Sequence, residues 1–175
     1  MSSALKNLSS YDDSSVPSAD DMSFGIVVAE WNQHITHALY EACYETLVKH
    51  GAKPESIYTI QVPGSFELPA GARILAGRRH PDAIICLGCI IKGETHHNEY
   101  ISHAVAQGLV SLSIASGRPF IFGVLTPNDE QQALDRAGGK HGNKGVESAI
   151  TAIRMAALKN EKPQGKRKIG FGNTE

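Results

Sequence analysis

Two adjacent histidines follow a glycine, a glutamate and a threonine in one short stretch, KGETHHNEY at 92–100. Imidazole titrates near neutral pH and can pass protons between reacting groups. Gly93-Glu94-Thr95 runs into a predicted helix, whose free N–H groups and positive dipole end suit an anion such as phosphate. The Thr95 hydroxyl adds a donor there, and it would serve equally well as a plain helix N-cap. Neighbouring histidines do not suit one metal on a helix, where i,i+4 spacing is typical. No cysteine or carboxylate set completes a zinc site, so no metal is expected. Proton transfer by one histidine is the chemical reading, and two surface histidines are the bland one. His34, His37, His50, His80 and His103 have no such context.

Other chemistry-bearing residues gather in short segments. Trp31-Asn32 offers a flat ring and an amide. In VPGSFELP (62–69), Ser65 and Glu67 beside a Pro-Gly turn could take polyol or ring-nitrogen donors. GGKHGNKG (138–145) holds Lys140 and Lys144, with Arg136 just before it. It follows a helix and lacks GxxxxGK[ST], so it is no P-loop. Its alternative is a kinked connection between two helices. Cys86 and Cys89 form a CxxC inside the apolar run AIICLGCII, and buried small hydrophobes are a better reading than a redox pair.

The pattern around these segments alternates. Apolar strands are predicted over 23–30, 56–62, 82–91 and 119–125, and helices over 32–50, 66–79, 98–116, 130–137 and 146–158. Strands alternating with helices give a four-stranded parallel sheet with helices on both faces, a three-layer, flavodoxin-like α/β/α sandwich. In such sheets, ligands bind beyond the carboxyl ends of the strands. Trp31-Asn32, VPGSFELP, KGETHHNEY and TPND (126–129) each follow a strand, so all four converge on one end of the sheet.

Length and composition set the frame. The 175 residues suit one domain, and 17 basic against 18 acidic residues leave no nucleic-acid footprint. No apolar run is long enough to span a bilayer. The N-terminus does not read as a secretory signal, and three cysteines make no disulfide framework, so a cytoplasmic setting is expected. Residues 1–21, rich in Ser and Asp, read as a mobile arm with Pro17 just ahead of the first strand. Residues 22–160 read as the folded domain and 161–175 as a poorly ordered basic extension.

Four motifs in this order, WN at 31–32, VPGSFELP at 62–69, GCIIKGETHHNEY at 88–100 and RAGGKHGNKG at 136–145, resemble the 6,7-dimethyl-8-ribityllumazine synthase family over about 23–158. The resemblance implies a transferase of riboflavin biosynthesis. It would join 5-amino-6-(D-ribitylamino)uracil to 3,4-dihydroxy-2-butanone 4-phosphate without metal or organic cofactor. It implies Trp31 stacking on the pyrimidine, where the family more often has Phe. Asn32, Gly64, Ser65, Phe66 and Glu67 would bind ring and ribityl chain, with backbone contacts from Ile90 and Ile91 and a further contact from Lys144. Glu94 and Thr95 would hold phosphate, and His97, rather than His96, would be catalytic. Arg136 would grip phosphate from a neighbouring subunit, and Phe122 would close the pocket at that interface. Family members are pentamers with shared sites, and some form sixty-subunit shells. The short GGKHGN turn points to a shell, and riboflavin synthase is a candidate partner. The rival readings are a flavodoxin or receiver domain, which lacks its loop or acidic residues here, and a non-catalytic flavin or lumazine carrier.

Overall fold

A computed structural model describes residues 9–161. Its elements are β1 (Phe24–Ala29), α1 (Gln33–Lys49), β2 (Ile57–Val62), α2 (Leu68–Arg79), β3 (Ala83–Cys89), α3 (His97–Ser116), β4 (Phe120–Leu125), α4 (Glu130–Asp135), a small hairpin of β5 (Ala137–Gly139) and β6 (Gly142–Asn143), and α5 (Lys144–Asn160). The first four strands form one parallel sheet in the order β2-β1-β3-β4. This is the expected three-layer α/β/α sandwich.

Burial explains the order. Every residue of β1 and β3 is buried, as continuous apolar runs require of central parallel strands. On one face Ile26, Ile85 and Leu87 pack with Ile35, Leu39 and Leu47 of α1 and Ile153 of α5. On the other, Val27, Ile84 and Cys86 pack with Ala72 and Leu75 of α2 and Val105 and Leu109 of α3. Each fully buried aliphatic side chain contributes roughly 1.5–3 kcal/mol of transfer free energy. Side chains alternate across a strand, so Cys86 and Cys89 point to opposite faces and cannot pair. Burial also raises both thiols, Cys89 to about 12, so neither offers a thiolate.

Two expectations differ from what forms. Residues 9–21, read as a mobile arm from composition, lie against the body. Ala19 is fully buried and its N–H donates to the His50 carbonyl, while Val16 and Met22 cover the α1/α5 side of the core. A few well-placed apolar residues outweigh a polar average. The glycine-rich connection from α4 to α5, for which a kinked link was the alternative reading, is the β5–β6 hairpin, and α4, expected to reach Ala137, stops at Asp135 because Arg136 already leads into it. The expectations for residues 1–8 and 162–175 lie outside the described residues.

Asp82 ties three elements together at the opposite end of the sheet from the site. Its Oδ2 accepts from the N–H and hydroxyl of Ser23 at 2.9 and 3.0 Å, and Asn160 and Lys159 of α5 reach Oδ1. Burial pushes this carboxyl up, but the Ser23, Asn160 and Lys159 partners together hold it below its ordinary value. A depressed folded pKa gives stability that is present above the unfolded value and lost as pH falls through the folded one. Asp82→Ala is therefore expected to cost about 2 kcal/mol at neutral pH. Denaturant titrations of both proteins should show that gap closing below about pH 4.

Candidate active site

The β1 end opens the site. Backbone pairing runs past the strand, with Glu30 and Trp31 N–H groups donating to the Val62 and Pro63 carbonyls, and this fixes the Trp31 backbone. Asn32 then turns the chain into α1 with φ 61°, a left-handed conformation that asparagine tolerates better than most side chains. Its Nδ2 donates to the Cys89 carbonyl at 3.0 Å, tying the β1 end to the β3 end. One role of Asn32 is thus architectural.

Beyond β2, Gly64 leads into a single 3-10 turn, Ser65–Glu67, before α2. Its Ser65 Oγ is buried and has no hydrogen-bond partner among the described residues, a state that calls for a ligand or water. The turn sits directly on Gly88 of β3, where a Cβ would lie 2.6 Å from Ser65 Oγ and 3.0 Å from Leu68 Cδ1. Those neighbours are side-chain ends, so Gly88→Ala should fold. The turn should then shift, raising KM for the ring-bearing substrate about tenfold with little change in melting temperature. An unchanged KM would show that the turn does not set substrate position.

Past β3, the Ile90 and Lys92 N–H groups donate to the Leu125 and Pro127 carbonyls, and the chain enters α3 at His97. The N-cap residue is His96, not Thr95, and it makes no side-chain cap bond. The Thr95 hydroxyl stands 3.5 Å from the His97 N–H, at the outer limit of a hydrogen bond, so it keeps its capacity for another partner. The two histidines part company here. His97 faces a cavity, whereas His96 lies outside the cavity lining, 81% exposed, with Nδ1 3.3 Å from Glu99 Oε1.

That cavity has a volume of about 450 Å³, within the range of small-molecule sites. It brings together Trp31, Asn32, Gly64, Ser65, Phe66, Glu67, Ile90, Ile91, Thr95 and His97. Cys89, Gly93, Asn98 and Ile101 complete the wall. Asn98 and Ile101 were not singled out by sequence, although their place in the first turns of α3 beside His97 was the available signal. Trp31 and Phe66 are 72% and 59% exposed, so two aromatic faces at the rim lack cover. The cavity combines aromatic and aliphatic walls, a carboxylate, an imidazole and the N-terminus of a long helix. It can hold a planar polar ring beside an anion and move protons between them.

Four expected residues are not in this wall: Glu94, Phe122, Arg136 and Lys144. Glu94 is exposed in the loop before α3, and Phe122 projects from the open side of β4. Arg136 sits at the hairpin base, its Nη2 2.7 Å from Glu147 Oε1 and its Nη1 donating to the His141 carbonyl at 2.9 Å. Lys144 Nζ lies 3.1 Å from Glu147 Oε2. Glu147 thus divides its two oxygens between two cations. Sequence reading missed it, although its i,i+3 spacing from Lys144 was legible.

Residues 21–160 match the family model described as 6,7-dimethyl-8-ribityllumazine synthase. A protein of that name from Cytophaga hutchinsonii is 54% identical over 157 residues, covering 90% of this chain and 98% of its own. Others from Parabacteroides distasonis and Flavobacterium psychrophilum are 53% and 49% identical, covering 89% and 92% of this chain and 97% and 85% of theirs. With a match that runs through every element bordering the cavity, the chain belongs to the 6,7-dimethyl-8-ribityllumazine synthase family.

Proposed function

We infer that the cavity condenses 5-amino-6-(D-ribitylamino)uracil with 3,4-dihydroxy-2-butanone 4-phosphate, giving 6,7-dimethyl-8-ribityllumazine, phosphate and two waters. The protein is a transferase of riboflavin biosynthesis. The observation that carries the assignment of roles is the shared wall of Trp31, Ser65, Thr95 and His97. The pyrimidine stacks on Trp31, while Asn32, Phe66 and Glu67 with the Ile90–Ile91 backbone align ring and ribityl chain. The unpartnered Ser65 hydroxyl takes one of its polar groups. Phosphate lies at the α3 N-terminus against Thr95 and Glu94, where N–H groups and the helix dipole stabilise it as it leaves. The ring amine attacks the ketone, the carbinolamine loses water, phosphate is eliminated, and ring closure expels a second water. His97 relays protons through these steps.

Arg136, Lys144 and Phe122 complete the site from a neighbouring copy in a homopentamer. Their separation from the cavity supports this, as do the uncovered Trp31 and Phe66 rims and the apolar stripe Tyr100, Val110 and Ile114 exposed along α3. A shell of pentamers follows from the short hairpin, the catalytic unit spans 22–160, and the setting is cytoplasmic. No helix among the described residues is long and apolar enough to cross a membrane.

Mixing the protein with both substrates should give lumazine absorbance and one phosphate per turnover. Product-free binding would sink the enzyme reading in favour of a carrier. Light scattering after size exclusion separates monomer, pentamer and shell. His97→Ala should lower kcat by roughly ten- to a hundred-fold and leave KM for the phosphate substrate near its parent value, because holding two reactive partners together supplies much of the acceleration. Steady-state rates decide this, and an unchanged kcat removes His97 from the chemistry.

A further inference from the structure

We infer that residues 9–16 form a strap that holds the β5–β6 hairpin in place, making Ser9 a positioning residue for Arg136. The consequence for catalysis rests on the assignment of Arg136 to phosphate.

The Ser9 hydroxyl donates to the Asn143 carbonyl at 2.9 Å and accepts from the Asn143 N–H, so one distant side chain engages both backbone polar groups of that residue. Asn143 is the hub of the hairpin. It pairs with Ala137 across β5–β6, its Oδ1 accepts from the Gly145 N–H at 2.7 Å, and its Nδ2 donates to the Ala38 carbonyl of α1 at 3.1 Å. The adjacent Lys144 N–H donates to the carbonyl of Arg136 at 2.9 Å. A shift of Asn143 is therefore transmitted to the Arg136 backbone through one hydrogen bond.

The other end of the strap is moored. Tyr11 Oη lies 3.2 Å from His50 Nε2, Asp13 takes Lys49 Nζ at 2.9 Å, and Arg154 of α5 donates to Ser15 Oγ at 2.8 Å. Ser9 thus belongs to a segment fixed to both α1 and α5, and it reaches the hairpin with its position already limited. The hairpin itself is short and glycine-rich, with much backbone freedom to lose, so an external hold has a measurable effect on its order. Small misplacements of a binding group are costly to a reaction that depends on alignment.

The test uses the full-length protein and three variants, Ser9→Ala, Ser9→Thr and Asp13→Ala. Ser9→Ala is expected to speed hydrogen exchange at the His141 and Lys144 amides. It should raise KM for the butanone phosphate roughly three- to ten-fold, leaving kcat, KM for the pyrimidine and melting temperature close to parent. Ser9→Thr, which keeps the hydroxyl, restores both readouts. Asp13→Ala, which frees the strap at its far mooring, shifts them in the same direction by less. Unchanged exchange in both Ser9→Ala and Asp13→Ala overturns the strap. So does a parallel rise of both KM values with a falling melting temperature, which is general destabilisation. Arg136→Ala is run alongside. Should it leave KM for the phosphate substrate unchanged while Ser9→Ala still speeds exchange, the strap stands and the phosphate role of Arg136 falls.

Discussion

Arg136→Ala is expected to raise KM for 3,4-dihydroxy-2-butanone 4-phosphate by about a hundredfold, equivalent to about 2.7 kcal/mol, with a smaller loss in kcat. A guanidinium presents its donors in a planar fork that fits phosphate oxygens, and it keeps its charge at any working pH. Here the fork is oriented from two sides, by Glu147 Oε1 at 2.7 Å and by the His141 carbonyl at 2.9 Å. The side chain therefore arrives with little orientational freedom left to lose on binding. The α3 N-terminus and Thr95 remain in the variant, so binding weakens without vanishing. Arg136→Lys should recover part of the loss, since lysine restores charge without the fork. Initial rates with the phosphate substrate varied at saturating pyrimidine would measure this. A KM within twofold of parent would remove Arg136 from the phosphate site.

Gly145→Ala should destabilise the fold by about 3 kcal/mol, although it only adds a methyl group. Gly145 lies in the first turn of α5 against α1, and a Cβ there would collide with the Leu39 carbonyl oxygen, a backbone atom that no rotamer change can move. Relief requires α5 to move away from α1. That would stretch the Asn143 amide bond to Ala38 and the cap that Asn143 provides to the Gly145 N–H. These two helices cover one whole face of the sheet, so the strain reaches Leu39 and Ile153 in the core. At roughly 2–4 °C per kcal/mol for a domain of this size, the melting temperature should fall by about 6–12 °C. A thermal scan showing a shift below about 1 °C would mean that the α1–α5 contact is more compliant than its geometry implies.

The helices and strands were legible because periodicity reports burial directly. The continuous, β-branched apolar run through Ile84, Ile85 and Leu87 suits a short strand buried on both faces, and it occupies a central position in the sheet. The strand-end motifs were legible for a related reason. A parallel sheet places every strand's carboxyl end on one side, so Trp31, Ser65 and Thr95 had to converge however far apart they lie in the chain. The resemblance to a known family singled out His97 over His96, and the structure gives that choice a geometry. The first residue of α3 faces the cavity, while its neighbour turns outward to Glu99.

Other features depend on distances that no local pattern encodes. Composition averaged residues 9–21 into a polar tail, but Ala19, Tyr11 and Asp13 each meet a particular partner, His50 or Lys49, at the C-terminal end of α1, and these are in place only once α1 has packed. Glu147 reads as an ordinary acidic residue in the first turn of a helix until the hairpin folds Arg136 back onto it. Placing Arg136, Lys144 and Phe122 away from the cavity was likewise a tertiary outcome, because their distance from His97 depends on how β4 and the hairpin lie against the sheet. The sequence by itself determined the layers and the end of the sheet where chemistry gathers, since both follow from burial period and strand direction. Only the tertiary structure decided which of those residues share a wall and which stand apart, because that rests on contacts between segments far apart in the chain.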